Sequence, residues 1–136
     1  MILTYIDSGV LIAAARGTNP IAMKALNILD DPNREFASSI FVKLEVLPKS
    51  IFHKKKFETE FYEIFFNTIK SWANSIDSIV RDGYQEACKS GLAALDALHV
   101  ASAISIGAAE LITTEKPDKP ICKVSSIKVI SIWFKT

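Results

Sequence analysis

Four acidic residues occupy positions where an acid is either costly or oddly placed. Asp7 directly follows the apolar run at residues 2–6, and Asp96 is the sole acid within residues 90–109, where His99 is the one other ionisable group. Burying a carboxylate is unfavourable unless something pairs it, and a cation is one such partner. Glu45 stands one helical turn after Phe41 and one before Lys49, at the edge of an apolar face, and Glu115 lies just past Leu111-Ile112-Thr113-Thr114. Each has a plainer alternative. Asp7 could cap a helix, Asp96 could begin one or pair with a lysine, Glu45 could pair with Lys49, and Glu115 could be a loop acid beside Lys116. Brought together, these carboxylates would repel one another, and a divalent cation relieves that repulsion. Mg²⁺ prefers carboxylates, waters and phosphate oxygens, so the chemistry implied is phosphodiester hydrolysis.

The elements that must position them follow from local pattern. Residues 2–6 read as a strand that runs into a helix from Ser8 to about Ala15, broken at Gly17-Thr18-Asn19-Pro20. Pro20 suits the first turn of a second helix carrying Ala22, Ala25, Leu26 and Leu29 on one face. Glu35-Phe36-Ala37 is a brief strand, and Ser38-Ser39 caps a helix expected to stop at Leu47, before Pro48. Helical spacing of Phe57, Phe61, Phe65, Ile69 and Trp72 predicts a helix over residues 54–73, facing the core or a second copy. Ser75-Ile76-Asp77-Ser78 is a weak strand candidate before a helix at about 79–89. A buried helix at 95–106 and strands at 110–114 and 126–132 complete the chain. The alternation predicts a parallel sheet covered on both faces, with right-handed crossovers and the acids at the carboxyl ends of the strands.

Composition bounds the alternatives. The 136 residues fit one domain, 1–136, and 49% hydrophobic with 23% charged residues is globular rather than disordered. A net charge of +1 supplies no global field toward nucleic acid, so any such contact must be a local patch. Cys88 and Cys122 form no disulfide or zinc pattern, and reduced thiols fit a cytoplasmic protein. Residues 90–109 are long enough to span a membrane, but Asp96 near the middle would cost about 2.5–3.5 kcal/mol. A buried helix in a soluble protein is the expectation, with no membrane association.

Four segments resemble the PIN-domain family. Residues 2–12, Ile-Leu-Thr-Tyr-Ile-Asp-Ser-Gly-Val-Leu-Ile, are similar to its opening strand and first acid, and residues 38–45, ending in Glu45, to the segment bearing its second. Residues 95–103, Leu-Asp-Ala-Leu-His-Val-Ala-Ser-Ala, are very similar to its third motif, and residues 111–115 resemble the strand before its fourth. The resemblance implies a three-layer α/β/α sandwich around a mainly parallel sheet of about five strands. It implies that Asp7, Glu45 and Asp96 hold Mg²⁺ or Mn²⁺, with Glu115 completing the site and Thr113 and Ser8 supporting it. Many PIN proteins of this size are VapC-type toxin ribonucleases paired with an antitoxin and often dimeric, so RNA, an antitoxin and a homodimer are the partners implied. Two departures stand out. Glu115 replaces the usual Asp, leaving Asp118 as a substitute, and Gly9 replaces a common polar residue.

Other residues bear on the same reading. His99, one turn after Asp96, could orient it or touch substrate, and a satisfied core histidine is the plainer alternative. Lys54-Lys55-Lys56 is the best phosphate-contacting run, with the solvated start of a helix as its alternative. A PIN-like scaffold without activity is the rival function. A dehalogenase-like phosphatase would need an acid where Gly9 stands, a receiver domain lacks its acceptor Asp and its Lys, and no Gly-rich phosphate loop is present.

Overall fold

The chain alternates strands with helices as its hydrophobic pattern requires. The computed structural model describes residues 1–17 and 19–135; Thr18, in the expected helix break, and Thr136, the last residue of the expected domain, lie outside the described residues. In chain order the elements are β1 (Ile2–Ile6), α1 (Ser8–Arg16), α2 (Pro20–Leu29), β2 (Arg34–Ser39), α3 (Ile40–Phe52), α4 (Lys56–Thr68), β3 (Ser71–Ala73), α5 (Ile76–Ser90), α6 (Ala94–Ser105), β4 (Glu110–Thr113), a 3-10 turn (Pro120–Lys123) and β5 (Lys128–Ser131).

All strand pairings are parallel, in the order β3-β2-β1-β4-β5. The chain steps one way from β1 to β3 and then returns past β1 to β4. Right-handed crossovers therefore place α1 to α4 on one face, with α5 and α6 on the other. The result is a three-layer α/β/α sandwich with a five-stranded parallel sheet. Tyr5, Ile6, Leu111 and Ile112 are fully buried in the central strands, beneath Val10 and Leu11 of α1 and Val100 of α6. Strand order reverses between β1 and β4, so the crevice at their carboxyl ends is where such a sheet accepts a ligand.

Several boundaries differ from the sequence expectation. The helix expected to stop at Leu47 continues through Pro48 to Phe52. Pro48 removes one backbone bond, to Leu44, on a face where both residues are exposed. The helix expected over 54–73 ends at Thr68, because Ile69 turns to extended backbone and Trp72 enters β3 opposite Ser38. The strand considered at 75–78 is absent; Ile76 opens α5, which ends on Gly91 in the left-handed conformation, φ 67°. Ser39 caps α3 as expected, its hydroxyl accepting from the Val42 amide.

The amino-terminal edge of the sheet holds one complete buried ion pair. Glu110, 3% exposed, accepts from Arg34 Nε at 2.7 Å and from the Thr4 hydroxyl at 2.7 Å, and Arg34 also reaches Asp31. This acid is compensated within the fold.

Candidate metal centre

At the opposite edge, among the described residues, the acids have no Arg or Lys partner of this kind. Asp7 occupies the cap position of α1 but makes no capping hydrogen bond. Its carboxylate instead points across to β4, where Thr113 Oγ1 donates to Oδ2 at 2.8 Å. The side-chain cap considered for Asp7 is therefore not formed, and Thr113 is the hydrogen-bond partner of its carboxylate.

Glu45 lies on α3, which starts directly from the end of β2. It turns inward rather than toward Lys49. Ser8 Oγ donates to Glu45 Oε1 at 2.7 Å, and His99 Nε2 approaches the same oxygen at 2.5 Å. Ligand atoms of Asp7, Glu45 and His99 all lie within 4.8 Å of one another. The hydrogen bond from His99 and that from Ser8 hold the Glu45 carboxyl below its ordinary range, against the opposing effect of burial.

Asp96 opens α6 and is half-buried. Burial first, then the charges of Asp7 and Glu115, push its carboxyl above the ordinary range. Glu45 acts in the same direction and His99 against it, although Asp96 and Glu115 are not in the tight three-residue group. Glu115 is half-buried beyond β4; its amide is held by Thr113 Oγ1 at 3.2 Å and its carbonyl accepts from Ser131 Oγ at 2.5 Å. Asp118 is exposed on the following turn. Among the described residues no Lys or Arg forms an ion pair with any of the four acids. Carboxylate oxygens gathered in this way could hold a divalent cation.

Gly9 has a packing reason. A Cβ there would stand 2.3 Å from Thr114 Oγ1, so the glycine lets the first turn of α1 approach the end of β4.

The lysine run is elsewhere. Lys54, Lys55 and Lys56 are exposed between α3 and α4, beside Arg16 at the far end of α1. Eight residues of helix separate Arg16 from Ser8, about 12 Å of axial rise, so these lysines form a patch apart from the acids.

Sequence reasoning singled out His99 but missed Glu45 as its partner and Tyr5 and Ser39 behind it. His99 is 1% exposed, and its Nδ1 meets the Tyr5 hydroxyl at 2.8 Å, which in turn meets Ser39 Oγ at 2.7 Å. Burial disfavours a charged His99, but the hydrogen bond to Glu45 and the charges of Asp7, Glu45 and Asp96 outweigh it and raise the ring. Burial also pushes the Tyr5 phenol up. Alternation along β1 places Tyr5 and Asp7 on the same side of the strand, but nothing in the sequence indicated that Tyr5 would meet α6.

The family model of the PIN domain matches residues 4–117. The chain belongs to the PIN-domain family. No curated protein matches the sequence. The fold is similar to a toxin–antitoxin complex from Klebsiella pneumoniae, at TM-score 0.73 and 19% identity, covering 96% of this chain and 98% of that one. It is similar to VapBC2 from Rickettsia felis bound to a DNA fragment from its promoter, at TM-score 0.71 and 16% identity, with the same coverage. VapBC from Salmonella typhimurium bound to DNA follows at TM-score 0.66 and 15% identity, covering 97% and 99%. At these identities the likeness is one of fold. No helix among the described residues is long and apolar enough to cross a membrane.

Proposed function

We propose that this PIN-domain protein is a metal-dependent endoribonuclease, the VapC-like toxin of a toxin–antitoxin pair. The observation that carries this reading is the gathering of Asp7, Glu45, Asp96 and Glu115 at the carboxyl end of a parallel sheet, where among the described residues no Lys or Arg is ion-paired to any of them. Asp7, Glu45 and Asp96 are the residues to hold Mg²⁺ or Mn²⁺, with Glu115 completing the set. A bound divalent cation supplies charge neutralisation at a phosphodiester and a water of lowered pKa. Thr113 fixes the direction of Asp7, and Ser8 does the same for Glu45. Lys54, Lys55 and Lys56 would contact RNA phosphates away from the cleaved bond.

A protein partner is part of the same proposal. An apolar groove of about 410 Å³, lined by Met1, Leu29, Phe36, Phe61, Ile64 and Phe65, and the exposed Phe52 and Phe57 are surfaces that an antitoxin or a second copy could cover in the cytoplasm. The solved relatives include toxin–antitoxin complexes. The rival, an inactive PIN scaffold, makes the opposite prediction in one experiment. Purified protein is incubated with structured and single-stranded RNAs in Mn²⁺, in Mg²⁺ and in EDTA, beside Asp7→Asn and Asp96→Asn. Metal-dependent cleavage lost in both variants supports the nuclease. Intact RNA throughout, with no divalent-ion binding by calorimetry, overturns it in favour of the scaffold.

A further inference from the structure

The buried histidine joins three elements that carry the acids. Its Nε2 reaches Glu45 of α3, and its Nδ1 reaches Tyr5 of β1, two residues before Asp7. Tyr5 then meets Ser39, the cap residue from which α3 departs. His99 itself lies one turn after Asp96 on α6. A single hydrogen-bonded line, Ser39 to Tyr5 to His99 to Glu45, therefore crosses the carboxyl ends of β1 and β2 from one helical layer to the other.

The ring could in principle be a ligand, since it groups with Asp7 and Glu45. The spacing argues otherwise. Two ligand atoms bound at right angles with bonds of about 2.1 Å would stand about 3 Å apart, whereas Nε2 and Glu45 Oε1 stand at a hydrogen-bonding separation of 2.5 Å. Nε2 is also 3.8 Å from Asp7 Oδ1. Oxygen-preferring cations would take the carboxylates and leave the imidazole behind them.

We infer that His99 is a positioning residue: it donates from Nε2 to Glu45 and, clamped at Nδ1 by Tyr5 and Ser39, fixes the direction in which Glu45 presents its carboxylate. Donation from Nε2 is available to the neutral Nε2–H tautomer and to the imidazolium alike, so the role does not rest on the charge of the ring. Partners of this kind behind a ligand typically contribute 10- to 100-fold in metal affinity. The inference rests on the acids being metal ligands, but not on RNA being cut.

The test compares His99→Gln, whose amide can replace the Nε2 donor, with His99→Leu, which keeps an apolar body and removes it, and with Tyr5→Phe. Mn²⁺ affinity is measured by calorimetry, and thermal melts are recorded in EDTA. We expect a loss of about tenfold or more in Mn²⁺ affinity for His99→Leu, near wild-type affinity for His99→Gln, and an intermediate loss for Tyr5→Phe. Metal-free wild type should also show a downfield, exchange-protected imidazole N–H resonance in the NMR spectrum. The inference is overturned if that resonance is absent, if wild type binds no Mn²⁺, if His99→Leu binds as wild type does, or if Gln and Leu variants lose affinity equally. Intact RNA with the expected Mn²⁺ pattern would remove the nuclease reading alone. RNA cleavage with an unaffected Leu variant would remove the positioning role alone.

Discussion

Thr113 and Asp7 face each other across adjacent strand ends, with the threonine hydroxyl donating to the aspartate at 2.8 Å. Thr113 is fully buried, so Thr113→Val keeps its shape while deleting the donor to Asp7 and the acceptor that holds the Glu115 amide. We expect a stability loss of about 1–3 kcal/mol in EDTA, read from urea midpoints. Mn²⁺ affinity should fall at the same time, by about tenfold. An unchanged midpoint would show that the bond is not formed in solution.

Removing one of the crowded acids should have the opposite effect on the metal-free protein. The Asp96 carboxyl is raised by burial and by Asp7 and Glu115, so its ionised form opposes folding. Asp96→Asn is therefore expected to raise the melting temperature in EDTA by about 3–5 °C, the shift for roughly 1 kcal/mol in a domain of this size. Saturating Mn²⁺ should narrow or reverse that advantage, because the wild type binds the ion more tightly. Scanning calorimetry with and without Mn²⁺ checks both signs.

Stability of the metal-free protein should vary with pH from both sides of one hydrogen bond. His99 is raised in the folded state, so its contribution is fully present below about 6.5 and is lost as pH rises through the higher folded value. Glu45 is lowered, so its contribution is present above about 4.5 and is lost as pH falls through the lower folded value. Urea midpoints in EDTA should therefore decline above pH 6.5 in wild type. In His99→Gln that decline should flatten.

The ion pair at the other edge supplies a control. Arg34→Met leaves Glu110 buried with only Thr4 as a partner, and should cost about 3–5 kcal/mol. Adding Glu110→Gln should recover a large part of it. Because this pair lies at the amino-terminal edge, Mn²⁺ affinity measured below the unfolding transition should not change in either variant.

The sheet and the acids were legible because both depend on local signals. An apolar run ending in Asp7, and Asp96 alone in an apolar helix, announce themselves within a few residues. What was illegible depended on contacts between segments. The periodicity through Phe65, Ile69 and Trp72 continues past the point where pairing with β2 pulls Trp72 into a strand, since spacing cannot register a partner. The inward turn of Glu45, away from Lys49, required Ser8 and His99, which lie 37 residues before it and 54 after it. Lys54, Lys55 and Lys56 follow Glu45 closely in sequence, but α3 carries them away from it.

The position of β1 in the middle of the sheet has a consequence for the order of events during synthesis. Asp7 is made before both neighbours of its strand, for β1 is flanked by β2 on one side and β4 on the other, and the hydroxyl that steadies Asp7 belongs to Thr113. A nascent chain still short of β4 carries Asp7, Glu45 and Asp96 without the strand that completes their crevice. In a ribosome-bound chain the topology thus leaves the acid cluster unassembled until β4 has emerged, and the crevice is complete only once β1 can pair on both sides.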